Sequence, residues 1–180
     1  MKQRIHLFGA AGSGTTTIAK LLCERLGYTQ FDSDDYFWLP TVDPFTVKRE
    51  RKECLRSMHH DLSNTESWIL SGSIMGWADE LIPFFDLAIF VYVRSDIRLE
   101  RLKKREYDRY GDEILSGGNR YEATKEFLEW AAKYEVGTEV GRNLIDHKKW
   151  LEALRCPVLS IENDILSESV ETVLESILKK

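Results

Sequence analysis

Short runs of apolar residues alternate along the chain with longer segments in which apolar residues recur at helical spacing. Five strands are predicted by the runs at 5–8, 28–31, 68–70, 87–93 and 157–161. Helical spacing predicts helices over 16–26, 47–62, 96–107 and 170–178. The fourth apolar run shows no polar alternation, which is typical of a strand buried on both faces of a parallel sheet. Alternation of strands and helices with short connections predicts an α/β fold.

Residues 107–150 interrupt this alternation. Apolar spacing predicts two further helices there, and glycines divide the segment at Gly111, Gly117, Gly118, Gly137 and Gly141. We interpret residues 107–150 as a helical lid inserted into a single domain that spans 1–180, with the glycines as hinges. An ordinary helical extension of the domain fits the sequence equally well.

Small residues follow the first predicted strand and open the first helix. Such a loop lets backbone N–H groups converge on an anion, and the helix N-terminus adds its dipole. The phosphate-loop pattern Gly-x(4)-Gly-Lys-[Ser/Thr] is matched at Gly9, Gly14 and Thr16. The predicted nucleotide-binding residues are therefore Gly9, Ala10, Ala11, Gly12, Ser13, Gly14, Thr15, Thr16 and Thr17.

Thr15 stands where this pattern has its lysine, and Lys20 lies more than a helical turn further on. Two unit charges ~4 Å apart interact by about 4 kcal/mol at an effective dielectric constant of ~20, so loss of the lysine matters for phosphoryl transfer. Arginines from elsewhere can supply the charge, or the loop can hold a nucleotide without efficient catalysis. A glycine turn that only joins strand to helix is the remaining alternative.

Acidic residues cluster where the second predicted strand ends, at Asp32, Asp34 and Asp35. The C-terminal ends of parallel strands meet at one edge of the sheet, so the cluster should lie near the glycine loop. One of Asp32 and Asp34 is predicted to hold Mg²⁺, and the other to accept the proton of a substrate hydroxyl. We assign the metal to Asp32 with Thr16, and the substrate to Asp34. Capping of the next helix by residues 33–35 is the alternative.

Positive charge gathers on the helix predicted after the fourth strand. Arg98, Arg101 and Arg105 recur at i, i+3 and i, i+4 spacing on a face that leads into the glycine-rich segment. Arg101 and Arg105 are predicted catalytic residues that replace the missing lysine charge, and Arg101 is also predicted to contact the nucleotide. Glu100 and Glu106 make a plain solvated helix the alternative.

A dinucleotide-binding fold is a second interpretation of the glycine loop. An acidic residue about 20 positions further on, Asp32 or Asp34, and the spacing Tyr121-x-x-x-Lys125 fit an NAD-dependent oxidoreductase. The glycines at positions 9, 12 and 14 do not match Gly-x-Gly-x-x-Gly, and Tyr121 falls within the insertion. These departures favour the phosphate-loop interpretation.

Composition narrows the possible partners and compartments. The 180 residues carry 25 basic and 30 acidic side chains, a net charge of −5 that argues against nucleic-acid binding. No apolar stretch approaches the ~18 residues of a membrane span, and the first residues lack the features of a signal peptide. Three scattered cysteines read as free thiols. We expect a cytoplasmic monomer or homodimer without nucleic-acid or membrane partners.

With these elements placed, the sequence resembles the small phosphate-loop kinases, which include adenylate, shikimate and gluconate kinases. It looks most like bacterial adenylate kinase-like ATPases with similar Gly-Ser-Gly-Thr loops. The resemblance covers the chain except for 107–150. It implies a three-layer P-loop NTPase fold with a five-stranded parallel sheet in the order 2-3-1-4-5. It also implies ATP or ADP and Mg²⁺ as ligands.

The resemblance also extends to individual positions. Phe31-Asp32-Ser33-Asp34 looks like the Asp-x-Asp of shikimate kinase, which contacts magnesium-bound water and substrate. Gly72 and Ser73 fall where these kinases carry a glycine-containing substrate loop. The segment from Arg98 to Arg105 looks like the adenylate kinase segment whose arginines reach adenine and phosphate. By weaker analogy, Arg49 or Arg51 holds an acidic group of the substrate.

Together these features predict a kinase that transfers the γ-phosphoryl group of ATP to a nucleotide or a small hydroxylated metabolite. Because Thr15 replaces the lysine, the alternative is a nucleotide-binding regulatory protein with weak or no kinase activity.

Overall fold

A computed structural model describes residues 1–137 and 142–179. Its centre is a five-stranded sheet in which every pairing is parallel and the order is β2-β3-β1-β4-β5. The predicted α/β class and the predicted strand order 2-3-1-4-5 are thereby confirmed. The strands are β1 (Arg4–Gly9), β2 (Thr29–Asp32), β3 (Trp68–Ser71), β4 (Leu87–Tyr92) and β5 (Val158–Glu162).

Helices connect successive strands and lie on both sides of the sheet. A short 3₁₀ helix, Asp79–Phe84, follows β3. A second one, Gly111–Ile114, precedes the helices of the insertion. The α-helices are α1 (Thr15–Leu26), α2 (Ser33–Phe37), α3 (Arg51–Ser63), α4 (Ser95–Tyr110), α5 (Tyr121–Ala132), α6 (Leu144–Ala153) and α7 (Leu166–Leu178).

Alternate residues of each strand point to opposite faces of the sheet, and apolar residues cover both faces. On one face, Ile5 and Leu7 of β1 pack with apolar residues of α1 and α7. On the other face, Phe8 packs with residues of α3, α6 and the segment after β3. Because both faces are covered, residues 87–91 of β4 are all buried. This burial accounts for the absence of polar alternation in that strand.

The helix predicted over 47–62 begins later than expected, at Arg51. The residues before it turn back on the end of α2, where Trp38 and Lys48 form an antiparallel bridge. The side chain of Glu50 then caps the N-terminus of α3. The predicted start of this helix is wrong because the residues around Lys48 pair in an antiparallel bridge instead of continuing the helix.

The insertion contains the two predicted helices, α5 and α6. Gly117 and Gly137 have φ angles of 91° and 68°, in the left-handed region that favours glycine. Gly141 lies outside the described residues. The assignment of 107–150 as a lid within a single domain stays a prediction.

Membrane-spanning character is absent from the described residues, where no helix combines sufficient length with sufficient apolarity. Cys23, Cys54 and Cys156 are free thiols, as predicted.

Two histidines are buried in the apolar layer beside β1. His6 lies between the rings of Phe8 and Phe85, with centroids 5.2 and 4.8 Å away, and its Nδ1 is 3.1 Å from the carbonyl oxygen of Leu70. His147 of α6 contacts the edge of the Phe8 ring at 5.4 Å. Burial lowers the pKa of each histidine to about 3, so both imidazoles are neutral at physiological pH.

Stability is expected to fall on acidification because of these two histidines. In the unfolded chain each has a pKa near its ordinary value of 6.5, so the unfolded state binds more protons below that pH. Between pH 7 and pH 5 the free energy of unfolding should fall by roughly 4 kcal/mol for the pair.

Urea denaturation at the two pH values measures this loss. His147→Gln should remove about half of it, because the difference between variant and parent cancels the contributions of all other groups. Equal free energies of unfolding at pH 7 and pH 5 in the parent would contradict the prediction.

Candidate functional site

The glycine loop turns between β1 and α1 in a space that larger residues cannot enter. A Cβ at Gly9 would lie 2.3 Å from the carbonyl oxygen of Val91, and one at Gly12 would lie 2.9 Å from that of Arg98. Gly12 and Gly14 also have φ angles of 80° and 89°. The neighbouring backbone therefore requires glycine at these positions and fixes the course of the loop.

The N-terminus of α1 opens from this loop without a side-chain cap. Gly14 is the N-cap, it makes no capping side-chain hydrogen bond, and the first turn contains no acidic residue. A helix end of this kind offers amide donors and the positive end of the helix dipole to an anion. Thr15 is half-buried at the lysine position, whereas Lys20 is exposed further along the helix. The uncapped start of α1 thus offers amide donors without an ammonium group beside them.

Three hydrogen bonds converge on the carboxylate of Asp32, at the end of β2. The hydroxyls of Thr16 and Ser71 each donate to its Oδ2 over 2.8 Å. The backbone N–H of Asp34 donates to Oδ1 over 3.0 Å, so Asp32 also caps α2. The structure therefore brings together Thr16 and Asp32, the two residues predicted to hold Mg²⁺. The Asp32 side chain both caps α2 and accepts the hydrogen bond from Thr16.

Asp34 is half-buried close to Asp32, and both negative and positive side chains influence the pKa of its carboxyl group. Burial raises the pKa of Asp34 above its ordinary value of 3.8, and the charges of Asp32 and Asp35 act in the same direction. The guanidinium groups of Arg142 and Arg105 oppose this rise. Asp34 is thus a stronger proton acceptor than an ordinary aspartate, and it faces two cations.

Arg98 is completely buried, although it shares with Arg101 and Arg105 the basic face predicted for α4. Its guanidinium donates to both carboxylate oxygens of Glu135, over 2.7 and 2.8 Å. It also donates to the carbonyl oxygen of Ala11 in the glycine loop over 3.1 Å, and to that of Ala131 over 3.4 Å. Because all these partners are protein groups, Arg98 joins the glycine loop to the end of α5.

Arg101 and Arg105 take different partners although they follow Arg98 on the same helix. Arg101 donates to the carbonyl oxygen of Asn163 over 2.9 Å, in the turn between β5 and α7. Arg105 pairs with Glu106 at 2.9 Å and lies over the ring of Phe127. Arg101 therefore lies beside the turn that follows β5, whereas the charge of Arg105 acts on Asp34. Their catalytic and nucleotide-binding roles stay predictions.

The loop after β3 packs closely on the start of α2. Gly72 has a φ angle of 92°, and a Cβ there would lie 2.1 Å from Ser33 Oγ. Ser73 is buried, and its Oγ lies 3.1 Å from His147 Nε2. The predicted contact of Gly72 and Ser73 with substrate stays a prediction, and in this structure the Ser73 hydroxyl already has a protein partner.

The two arginines considered for an acidic substrate group flank the start of α3. Arg49 is half-buried and donates from Nε to the carbonyl oxygen of Tyr36 over 3.0 Å. Arg51 is exposed and donates to the carbonyl oxygen of Trp77 over 2.9 Å and to Glu80 over 2.6 Å. Arg49 is therefore the better placed of the two beside α2, and its predicted role is not otherwise tested.

Two residues of the site escaped sequence analysis. Asn163 is buried after β5, and its side-chain amide donates to the carbonyl oxygen of Ser13 over 2.8 Å. Its position at the C-terminal end of a strand is the signal that would have found it. Arg142, over the ring of Trp130, faces Asp34 from more than 100 positions away. No local pattern marks it.

The carboxylate and hydroxyl groups at this edge of the sheet are the possible ligands for Mg²⁺. Within the described part of the chain, no group of three or more His, Cys, Asp or Glu side chains could hold a metal ion. The hydroxyl of Thr16 and the carboxylate of Asp32 are oxygen donors of the hard type that Mg²⁺ prefers. Mg²⁺ commonly takes one or two such protein ligands together with phosphate oxygens. The residues present thus fit an ion that arrives with a nucleotide.

The dehydrogenase alternative gains nothing from this arrangement. Tyr121 and Lys125 both lie on α5, in the insertion. The sheet order 2-3-1-4-5 also differs from the 3-2-1-4-5-6 order of dinucleotide-binding folds.

The chain is similar in sequence and in fold to several known proteins. A family model described as an AAA domain matches residues 5–126. The uncharacterized protein YqaC of Bacillus subtilis is 48% identical over 177 residues, covering 97% of each chain. Cytidylate kinase of Archaeoglobus fulgidus is 26% identical over 114 residues, 57% of this chain and 62% of its own length. Shikimate kinase from Acinetobacter baumannii superposes with a TM-score of 0.58 at 18% identity, covering 98% of this chain and 93% of its own.

Removal of the buried guanidinium should destabilise the protein strongly. Arg98→Met leaves the Glu135 carboxylate and the Ala11 carbonyl without their donors, so the free energy of unfolding should fall by about 3–5 kcal/mol. Arg94→Met is the control, because the Arg94–Asp96 pair is exposed and should contribute little. Urea denaturation of both variants measures the difference. Similar stabilities would show that Arg98 does not tie the loop to α5.

Proposed function

The chain belongs to the AAA domain family, and from this premise we propose that it is an ATP- and Mg²⁺-dependent phosphotransferase. Its fold is that of the P-loop small-molecule kinases. We propose that it transfers the γ-phosphoryl group to a nucleotide or to a small hydroxylated metabolite. The cytidylate and shikimate kinases among its relatives and structural neighbours represent these two acceptor classes.

One observation carries the proposal. The hydroxyl at the end of the phosphate loop, on Thr16, lies 2.8 Å from the carboxylate that ends β2, on Asp32. Phosphoryl transfer needs an anion cradle and a metal-side carboxylate at one place. A glycine turn that merely joined a strand to a helix would need no such partner across the sheet edge.

The loop would hold the polyphosphate through its backbone. Amides of the loop and of the uncapped start of α1 would supply donors for the phosphate oxygens. Asn163 and Arg98 hold the loop from behind through the carbonyl oxygens of Ser13 and Ala11, which leaves the amide side for the ligand. Arg101 would contribute from the turn after β5, on the nucleotide side.

The metal would sit between the loop and Asp32. When bound, Mg²⁺ neutralises charge on the phosphate oxygens that develops during transfer. Thr16 and Asp32 would hold the ion, the carboxylate through water or directly. Ser71 also donates to this carboxylate and so fixes its direction.

The acceptor would bind between α2 and the loop after β3. Asp34 accepts the proton of the attacking hydroxyl, a role suited by its raised pKa. Arg105 of α4 and Arg142 of the insertion, whose charges act on this carboxylate, would stabilise the negative charge of the migrating group. Gly72 and Ser73 would line the pocket, and Arg49 would hold an acidic group of the acceptor.

Loss of the Asp34 carboxylate should abolish transfer and leave nucleotide binding intact. We expect Asp34→Asn to lower turnover by at least ~100-fold, the range of general-base catalysis. The dissociation constant of MgADP should change by less than about threefold, since Asp34 lies on the acceptor side. The measurements are coupled ADP release with a panel of nucleoside monophosphates and hydroxylated acids, and titration calorimetry with MgADP.

Asp35→Asn is the matched control, because Asp35 is the adjacent, exposed carboxylate. In the parent, turnover should fall as the pH drops through a value above 3.8, since an Asp34 that is protonated cannot accept the proton. Equal turnover in Asp34→Asn and the parent would reject the assigned role.

A nucleotide-binding regulatory protein with little or no transfer is the second candidate function. Thr15 favours it, because the site lacks the ammonium group that lies beside the γ-phosphate in other P-loop enzymes. In that case binding of the nucleotide, rather than its conversion, would be the function.

Restoring the lysine separates the two candidates. If the arginines compensate incompletely, Thr15→Lys should raise ADP release with the best acceptor by about tenfold, which a charge–phosphate interaction can supply. Thr15→Met controls for the length of the new side chain without its charge. If MgADP binds but no acceptor raises ADP release even in Thr15→Lys, the regulatory function is correct and the kinase proposal is wrong.

A further inference from the structure

Three buried polar side chains form a chain of hydrogen bonds behind the site. The hydroxyl of Tyr134 lies 2.8 Å from His147 Nδ1, and His147 Nε2 lies 3.1 Å from Ser73 Oγ. Tyr134 and Ser73 are 3% and 7% exposed, and His147 is fully buried. We call these residues the Tyr134–His147–Ser73 relay. They come from the turn after α5, from α6 and from the loop after β3.

The relay has a defined protonation state. Burial lowers the pKa of His147 to about 3, and the positive charge of Arg142 acts in the same direction. Burial also raises the pKa of Tyr134, so the phenol keeps its proton. A neutral imidazole has one donor and one acceptor nitrogen. His147 therefore bonds one neighbour as donor and the other as acceptor, and both nitrogens are satisfied within the protein.

At the Tyr134 end, the relay contacts the glycine loop through Arg98. The Arg98 guanidinium lies 5.1 Å from the centroid of the Tyr134 ring, and it donates to the carbonyl oxygen of Ala11. Arg98 also holds Glu135, the residue after Tyr134. A displacement of the glycine loop would therefore move Arg98 and the ring stacked beneath it.

At its other end the relay meets the acceptor side. The carbonyl oxygen of Ser73 accepts a hydrogen bond from the indole N–H of Trp77 over 3.0 Å. The Trp77 ring packs on Phe37 of α2, with centroids 5.1 Å apart, and Asp34 lies in the same short helix. The position of Ser73 thus bears on the wall of the proposed acceptor pocket.

These contacts connect two subsites that bind different ligands. Buried polar networks of this kind specify one arrangement, because every alternative leaves a desolvated donor or acceptor unpaired. Apolar residues at the three positions would fill the same volume, so packing alone does not explain the relay. The proposed site needs the glycine loop and the loop after β3 in fixed register.

We infer that the Tyr134–His147–Ser73 relay couples nucleotide occupancy of the glycine loop to the position of the loop after β3, with His147 as a positioning residue for the acceptor pocket. The inference rests on the proposed function, since it requires a nucleotide in the glycine loop. None of the three side chains needs to touch the reacting atoms. Their effect is to order the acceptor loop when the nucleotide binds.

Hydrogen exchange of the full chain with ADP and Mg²⁺ as the probe tests this coupling. In the parent, MgADP should slow amide exchange in residues 72–78 by about tenfold, the effect expected when a buried hydrogen bond becomes persistent. Tyr134→Phe keeps the ring beside Arg98 and removes the hydroxyl alone. In this variant the slowing should drop below about twofold, while the MgADP dissociation constant changes by less than about twofold.

Tyr107→Phe is the matched control, because it removes a tyrosine hydroxyl from an exposed position that bonds only Asp112 among the hydrogen bonds described. The imidazole of His147 gives an independent signature. Its ¹⁵N shifts should move on addition of MgADP in the parent and in Tyr107→Phe, and should stay unchanged in Tyr134→Phe. If the Tyr134 hydroxyl had only a structural role, Tyr134→Phe would also speed amide exchange in β3, and it would do so with or without the nucleotide.

The outcomes distinguish this inference from the function on which it rests. If MgADP binds and protects 72–78 equally in Tyr134→Phe and the parent, the coupling is overturned and the phosphotransferase proposal stands. If MgADP protects the glycine loop but not 72–78 in the parent, the coupling is likewise overturned. If MgADP does not bind the parent at all, the proposed function falls, and the inference falls with it.

Discussion

The carboxylate of Asp32 receives hydrogen bonds from α1, from β3 and from the start of α2, and the arrangement of the site depends on this convergence. An acidic side chain at the C-terminal end of a parallel strand repels other carboxylates nearby unless donors or cations surround it. Thr16 and Ser71 provide those donors over 2.8 Å each. As a result, one residue caps α2, orients Asp34 and meets the end of the glycine loop.

The position of the glycine loop depends in turn on groups behind it. Arg98 and Asn163 donate to two of its carbonyl oxygens, from α4 and from the turn after β5. Both donors are buried, so a change in either leaves a desolvated group unpaired. Buried donors from two separate elements therefore hold the backbone of the loop in place. In the proposed function, the loop held in this way would bind the phosphate groups of the nucleotide.

In the proposed function, the positive charge at the site would come from outside the glycine loop. A lysine in the loop would place one cation next to the phosphates, but Thr15 occupies that position. The charges of Arg105 in α4 and of Arg142 in the insertion instead act on Asp34, and Arg101 lies beside the turn after β5. Charge carried by a separate helical segment depends on where that segment lies, whereas charge in the loop does not. In the proposed function, contacts between the insertion and the rest of the molecule would therefore contribute to catalysis, and the proposed relay through His147 is one such contact.

The sequence by itself determined the positions of the strands, the glycine loop and the acidic cluster, because each rests on local information. The order of the strands in the sheet was implied only by the resemblance to the small phosphate-loop kinases. Strand periodicity, a Gly-x(4)-Gly spacing and acids directly after a strand can all be read within about ten residues. The tertiary structure alone decided which cations face Asp34 and which are buried. Arg98, Arg101 and Arg105 share one helical face in the sequence, yet Arg98 is fully buried against Glu135 and the other two have different partners. Arg142 and Asn163 reach the site from distant segments, and the start of α3 was shifted by pairing with residues near Trp38. Burial and long-range pairing depend on what packs against a residue, and no window of sequence contains that neighbour.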